Sequence, residues 1–169
     1  NLFLVPMCNA LGGYELLPSC IFNANNSGGK VIPADGHISD TANQLALSAV
    51  NGHALKLAEK IKTDKRYDTD LYISKRIAEY TEKQDYVIIQ GTLKETVKET
   101  FNIYDLHVFI TAAGIAVRVI DGLPDSKAKD PAVLVADEQG KFIISLLSGH
   151  LGGANEECRY LAEMLGSIP

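Results

Sequence analysis

Residues 130–155, DPAVLVADEQGKFIISLLSGHLGGAN, restrict the possible folds of this chain more than any other stretch. Two short apolar runs, 132–136 and 142–147, flank the turn-like Asp137-Glu138-Gln139-Gly140. Such a pattern predicts two strands joined by a tight connection, with the acidic pair in a polar turn. Ser148-Gly149-His150-Leu151-Gly152-Gly153-Ala154-Asn155 follows, and from there apolar residues recur at helical spacing to Leu165, with Gly166 as a stop signal. A glycine-rich bend between strand and helix has two readings. It can be a connection packed for its own sake, or it can bring backbone N–H groups to a carboxylate or phosphate.

The rest of the chain supplies the partners that a strand pair needs. From residue 44 a short apolar run, 45–50, reaches Asn51-Gly52. Ala54, Leu55, Leu57, Ala58 and Ile61 then recur at helical spacing. A second strand is expected at 70–74 and a short helix or loop at 73–80. A third strand is expected at 86–89, ahead of a helix at 93–101. His107 to Thr111, HVFIT, reads as a buried strand running into Ala112-Ala113-Gly114 and another helix. Strand–turn–helix alternation predicts the α/β class. The expected architecture is a mainly parallel sheet flanked by helices, with an antiparallel strand pair near the C-terminal end.

Residues 1–43 have a different texture, with Asn and Gly clusters and few charges. Short strands are conceivable at 2–5 and 30–32, but the segment reads as an appendage or the end of a preceding segment, and 44–169 as the α/β domain. The chain starts with Asn rather than Met, as a fragment or processed product would. Its apolar start lacks the basic region of a signal peptide. Cys8, Cys20 and Cys158 are odd in number and widely spaced, which suits reduced thiols and a cytoplasmic location. No apolar run is long enough to span a membrane, so no membrane association is expected. With 16 Lys+Arg against 21 Asp+Glu the formal net charge is −5, which argues against a nucleic-acid surface while leaving room for one local anion site.

Several chemistries lack their signatures. No GxGxxG or GxxxxGK[ST] is present, and no GxSxG elbow. His37, His53, His107 and His150 show no ligand-like pairing, so no protein-held metal is expected. His37 and His53 read as loop and surface histidines, and His107 as a satisfied core or edge residue. The remaining candidates are borne on bends: Thr111, Gly114, Arg118, Ser148, Gly149, His150, Gly152, Gly153 and Asn155. His150 is the candidate catalytic residue, because an imidazole can act as general base near neutral pH. Its competing role is to brace the bend. Arg118 can fork onto a carboxylate or serve a salt bridge.

The segment FITAAGIAVRVI at 109–120, followed by 130–155 in the same order and separation, closely resembles the amino-terminal region of the CbiG family. A weaker likeness reaches back to about Gln44. These proteins are the cobalt-precorrin-5A hydrolases of the anaerobic corrin pathway. The resemblance implies hydrolysis of a ring-attached δ-lactone on an anionic cobalt-tetrapyrrole, with the two-carbon fragment leaving as acetaldehyde. It implies no cofactor, since the cobalt is carried by the substrate. Its implied partners are that substrate and either a C-terminal domain, into which the family normally continues, or other corrin-pathway proteins. No catalytic residue is carried over from the family. On the expectation that all the bends share one hollow, His150 is the base and Arg118 holds a peripheral carboxylate. Thr111, Gly114, Ser148, Gly149, Gly152, Gly153 and Asn155 line the substrate. The alternatives are a non-catalytic tetrapyrrole-binding or domain-assembly module, and a generic anion-binding α/β domain with a nucleotide ligand.

Overall fold

The computed structural model describes residues 43–81 and 85–169, together with the backbone of a small antiparallel pair, β1 (Ile21–Asn23) and β2 (Lys30–Ile32). The strand conceivable at 30–32 is therefore present, although the segment reads from its sequence as loop or linker. The one considered at 2–5 lies outside the described residues, as do His37, Cys8 and Cys20.

The main sheet has six strands. They are β3 (Asn43–Ala49), β4 (Tyr67–Ser74), β5 (Val87–Ile89), β6 (Leu106–Ile110), β7 (Ala132–Ala136) and β8 (Ile143–Leu147), in the order β5-β4-β3-β6-β7-β8. All neighbours are parallel except β7 and β8. The expected α/β class, with its antiparallel pair near the C-terminal end, is what forms. Among the described residues five helices flank the sheet: α1 (Gly52–Lys62), α2 (Lys75–Ala78), α3 (Leu93–Thr100), α4 (Ala113–Ile120) and α5 (Ala154–Leu165).

Alternation along the central strands decides which helix packs where. Leu45, Leu47, Leu106, Val108, Ile110, Leu134 and Ala136 turn to one face and are buried under α1, α2 and α5 through Ala54, Ala58, Ile61, Ile77, Cys158 and Leu161. Phe109, Val133 and Val135 turn to the other and are buried under α3 and α4 through Val97, Phe101, Ala116, Val119 and Ile120. Parallel strands covered on both faces have few polar positions, which is why β6 and β7 read as continuous apolar runs.

Beyond α5, Gly166 takes a left-handed conformation (φ 74°) and the chain returns to the sheet margin. There the Ile168 N–H donates to Lys141 O at 2.8 Å, and the Ile143 N–H donates to Ile168 O at 2.9 Å. The β7–β8 connection is the polar turn expected: Asp137 accepts from the N–H groups of Gln139 (3.0 Å) and Phe142 (2.5 Å).

Candidate functional site

Strand order reverses between β3 and β6. β3 leads by way of α1 to β4 on one side, whereas β6 leads by way of α4 to β7 on the other. α1 and α4 lie on opposite faces, so a crevice opens beyond the carboxyl ends of β3 and β6. Ligands of open α/β sheets gather at such a reversal. Because Ala49 pairs with Ile110, the next residues, Val50-Asn51 and Thr111-Ala112, leave the sheet side by side.

Helix starts crowd this rim, and most are already occupied. Asn51 Oδ1 accepts from the N–H groups of His53 and Ala54, each at 3.0 Å. Ser74 caps α2, and Thr92 with Glu95 forms a reciprocal capping box on α3. α4 differs: Ala112 has no side chain able to cap, and the N–H groups of Ala113 and Gly114 have no partner among the described residues. A helix start carries partial positive charge and suits an anion.

Two further features point the same way. Thr111 is 1% exposed, and its Oγ1 has no hydrogen-bond partner among the described residues. By strand alternation it shares the sheet face of Phe109, the face that α4 covers. Arg118 folds back along α4, and its Nη1 donates to Gly114 O at 2.9 Å. A methyl group on Gly114 would stand 3.3 Å from that nitrogen, so the missing side chain makes room for the guanidinium. Thr111, Gly114 and Arg118 are thus brought together. Beside them, at the ends of β3, β4 and β5, lies a cleft of about 190 Å³ lined by Ser48, Ala49, Val50, Ser74, Ile89, Gly91 and Leu93.

The other six candidates are elsewhere. β8 runs against β7, with Leu147 beside Val133 and Ile143 beside Ala136, so its carboxyl end lies at the amino end of its neighbours. Ser148 accordingly sits next to Asp130, to whose carbonyl its hydroxyl donates at 3.1 Å. Thr111, whose N–H donates to Ala136 O, is six residues away along the strand direction, roughly 20 Å at about 3.3 Å per residue. The single hollow expected from the sequence does not form, because the reversed strand carries residues 148–155 to the opposite rim.

That bend is consumed by its own geometry. Ser148, at φ 58°, offers its carbonyl to the N–H groups of Gly152 (3.1 Å) and Ala154 (3.2 Å), and Gly149 O accepts from Asn155 N–H at 3.0 Å. A Cβ on Gly152 would lie 2.5 Å from Ser148 Cβ and 3.0 Å from Ser148 O, so the glycine is a condition of the turn. Gly153 is left-handed at φ 79° and precedes α5, which begins four residues after His150. His150 is exposed, and its Nδ1 pairs with the Asn155 amide Nδ2 at 3.1 Å. The contact holds the ring against the bend.

Sequence reasoning overlooked the buried polar residues. Asp130, 4% exposed, accepts from the N–H groups of Asp125 (2.9 Å) and Ser126 (3.2 Å) and fixes the loop before β7. Glu157, 8% exposed, ties α5 to β4 by accepting from Arg66 Nη2 at 2.6 Å and from the Tyr67 hydroxyl. Among the described residues no group of three or more His, Cys, Asp or Glu side chains is arranged to hold a metal ion, and no helix is long and apolar enough to cross a membrane.

Residues 95–169, from α3 through α5, match the family model described as Cobalamin synthesis G N-terminal. The chain carries a CbiG amino-terminal region. Over 92 residues it is 47% identical to the cobalt-precorrin-5A hydrolase of Salmonella typhimurium, covering 54% of this chain and 26% of that protein. Over 124 residues it is 32% identical to the cobalt-precorrin-5A hydrolase of Priestia megaterium, covering 73% of this chain and 33% of the relative. The chain therefore spans about a quarter to a third of the length of these relatives. In fold it is similar to the crystal structure of a cobalamin biosynthesis protein G homolog from Sulfolobus solfataricus. That likeness has a TM-score of 0.56 at 24% identity and covers 75% of this chain and 35% of the other. The CbiG match includes β6 and α4, and hence Thr111, Gly114 and Arg118.

Proposed function

We propose that this chain is the amino-terminal module of an enzyme of cobalamin biosynthesis that hydrolyses cobalt-precorrin-5A, opening its ring-attached lactone with release of acetaldehyde. The observation that carries this reading is the 47% identity over 92 residues with a relative bearing that name. The cobalt arrives and leaves with the substrate, and the module works in the cytoplasm without a cofactor of its own.

In this reading the start of α4 receives one peripheral carboxylate of the tetrapyrrole. The N–H groups of Ala113 and Gly114 and the Arg118 guanidinium supply charge-assisted hydrogen bonds, and Thr111 a hydroxyl; bonds of that kind contribute about 1.5–3 kcal/mol each. A local site is required because the chain as a whole is acidic, at a formal −5, and would repel a polyanion. Screening over about 8 Å at physiological salt lets the near field decide. The bend at 148–155 acts as a brace between β8 and α5, with His150 held by Asn155 as part of it.

The test is to mix the purified chain with cobalt-precorrin-5A and follow both its absorption spectrum and trapped acetaldehyde. Turnover supports the hydrolase reading. A spectral change without aldehyde favours the second reading, a tetrapyrrole-binding or domain-assembly module that needs the remainder of its protein. That reading draws on the chain's covering only 26% and 33% of the relatives. No spectral change removes both.

A milder substitution probes the carboxylate contact. Gly114→Ala in the first turn of α4 favours the helix by roughly 0.5–1 kcal/mol, yet crowds Arg118 Nη1. The variant is expected to melt no lower than the parent while binding a polycarboxylate porphyrin about fivefold more weakly, which corresponds to about 1 kcal/mol. Unchanged affinity in a fluorescence titration would remove Arg118 and Gly114 from the contact.

A further inference from the structure

The geometry points to His53 as the imidazole that meets the ligand at the carboxyl rim. This inference rests on the tetrapyrrole reading above and adds to it a residue from outside the matched span of 95–169.

The described residues include three histidines, and the fold separates them. His107 is 1% exposed and sealed between Phe101 and Phe109. His150 stands on the opposite rim, paired with Asn155. His53 stands in the first turn of α1, directly after β3, where the strand order reverses. Since Ala49 and Ile110 are partners, Asn51 and Ala112 leave adjacent strands, which lie about 4.8 Å apart. The openings of α1 and α4 therefore flank one crevice, with His53 on one wall and Ala113, Gly114 and Arg118 on the other.

The two walls are chemically unlike. On the α4 wall, among the described residues, the N–H groups of Ala113 and Gly114 and the buried Thr111 hydroxyl have no partner. On the α1 wall Asn51 already takes the N–H groups of His53 and Ala54. That cap fixes the first turn and takes up the N–H groups of His53 and Ala54, while the His53 imidazole stays exposed. Side chains of a helix tilt toward its N-terminus, and here that direction is the rim. The 190 Å³ cleft along Ser48, Val50 and Leu93 continues the same rim toward β5.

A carboxylate held on the α4 wall brings the rest of the ring over the α1 wall. In lactone opening, the oxygen of a water molecule forms its bond to the carbonyl carbon as one of its protons passes to the His53 ring. The ester C–O bond then breaks, and the imidazolium returns the proton to the departing alkoxide. No other reactant is needed.

The test uses the whole chain with histidine rings isotopically labelled and a polycarboxylate porphyrin as probe, whose ring current moves nearby proton resonances. The His53 ring signals are expected to shift on saturation while those of His150 stay in place. With cobalt-precorrin-5A, His53→Gln is expected to lower kcat about a hundredfold, at the low end of proton-transfer contributions, with KM little changed, whereas His150→Gln keeps parental turnover. A shift at His150 with none at His53, or bound porphyrin that moves neither, would overturn the assignment, as would a His53→Gln variant with parental kcat. Should the chain release no acetaldehyde, the hydrolase reading fails while a His53 shift still upholds the contact, so the two failures are told apart.

Discussion

Replacing Glu157 by Ala is expected to lower the stability of this chain by about 3 kcal/mol, within the range for breaking a buried ion pair. Glu157 and Arg66 have side chains 11% and 22% exposed, and their contact at 2.6 Å joins the last helix to the start of β4. Arg66 also lies over the Tyr160 ring at 4.2 Å, and Tyr160 donates to Asp64 at 2.6 Å. Burial and the neighbouring Glu157 carboxylate push the Tyr67 phenol far above its ordinary range, so it remains a protonated donor at all physiological pH. Removing Glu157 leaves a half-buried cation and a buried hydroxyl without their acceptor. In thermal unfolding the melting point should fall by roughly 6–12 °C. A loss under 1 kcal/mol would mean that α5 is held by its apolar face alone. The double variant Arg66→Met, Glu157→Leu separates charge from packing and should recover most of the loss, since apolar residues of similar volume often substitute well for a buried pair.

His107 carries the second large effect, one that depends on pH. Its ring stacks on Phe101 and Phe109 at 5.5 and 6.1 Å, meets Tyr104 edge-on, and bonds Phe101 O through Nε2 at 3.1 Å. Burial drives its pKa down to about 4 from the ordinary 6.5, against the pull of the Phe101 carbonyl. The unfolded chain therefore binds a proton that the folded chain refuses between those values. Stability from this residue is complete above pH 6.5 and is lost as pH falls toward 4, a change on the order of 3 kcal/mol. His107→Ala should flatten that slope. At pH 7 it should also cost about 3 kcal/mol through the cavity between two phenylalanines and the orphaned Phe101 carbonyl. Denaturant unfolding at pH 7 and pH 5 measures both. A parental slope in the variant would assign the acid sensitivity to other groups.

What the sequence disclosed follows the range of each interaction. Strands and helices came through because periodicity is a local property: the apolar runs at 45–50, 107–111, 132–136 and 142–147 all became strands, and β4 merely begins three residues earlier than expected, at Tyr67. Thr111, Gly114 and Arg118 were legible as a group because a helix start and a residue four positions on are neighbours in any fold. Strand direction, by contrast, leaves no mark in a hydrophobic pattern. Residues 148–155 thus looked like part of the ligand rim, although β8 delivers them to the other one. Their glycines were read as openness toward a ligand, whereas Gly152 is required by its own neighbour Ser148. Glu157 resembles any charged residue of a solvated helix, and its partners Arg66 and Tyr67 lie 91 and 90 positions away. His53 looked like a surface histidine and is indeed exposed. The role proposed for it rests on where β3 ends relative to β6, which depends on strand order.

The central position of β3 also governs when the crevice comes into being. Its pairing with β4 closes a short segment, but its pairing with β6 joins stretches of sequence some sixty residues apart, and long closures are the slow steps of folding. The crevice straddles that late seam and is absent from either part alone. A chain stalled halfway has no completed rim to offer a ligand, so any competence to bind arrives together with completed architecture.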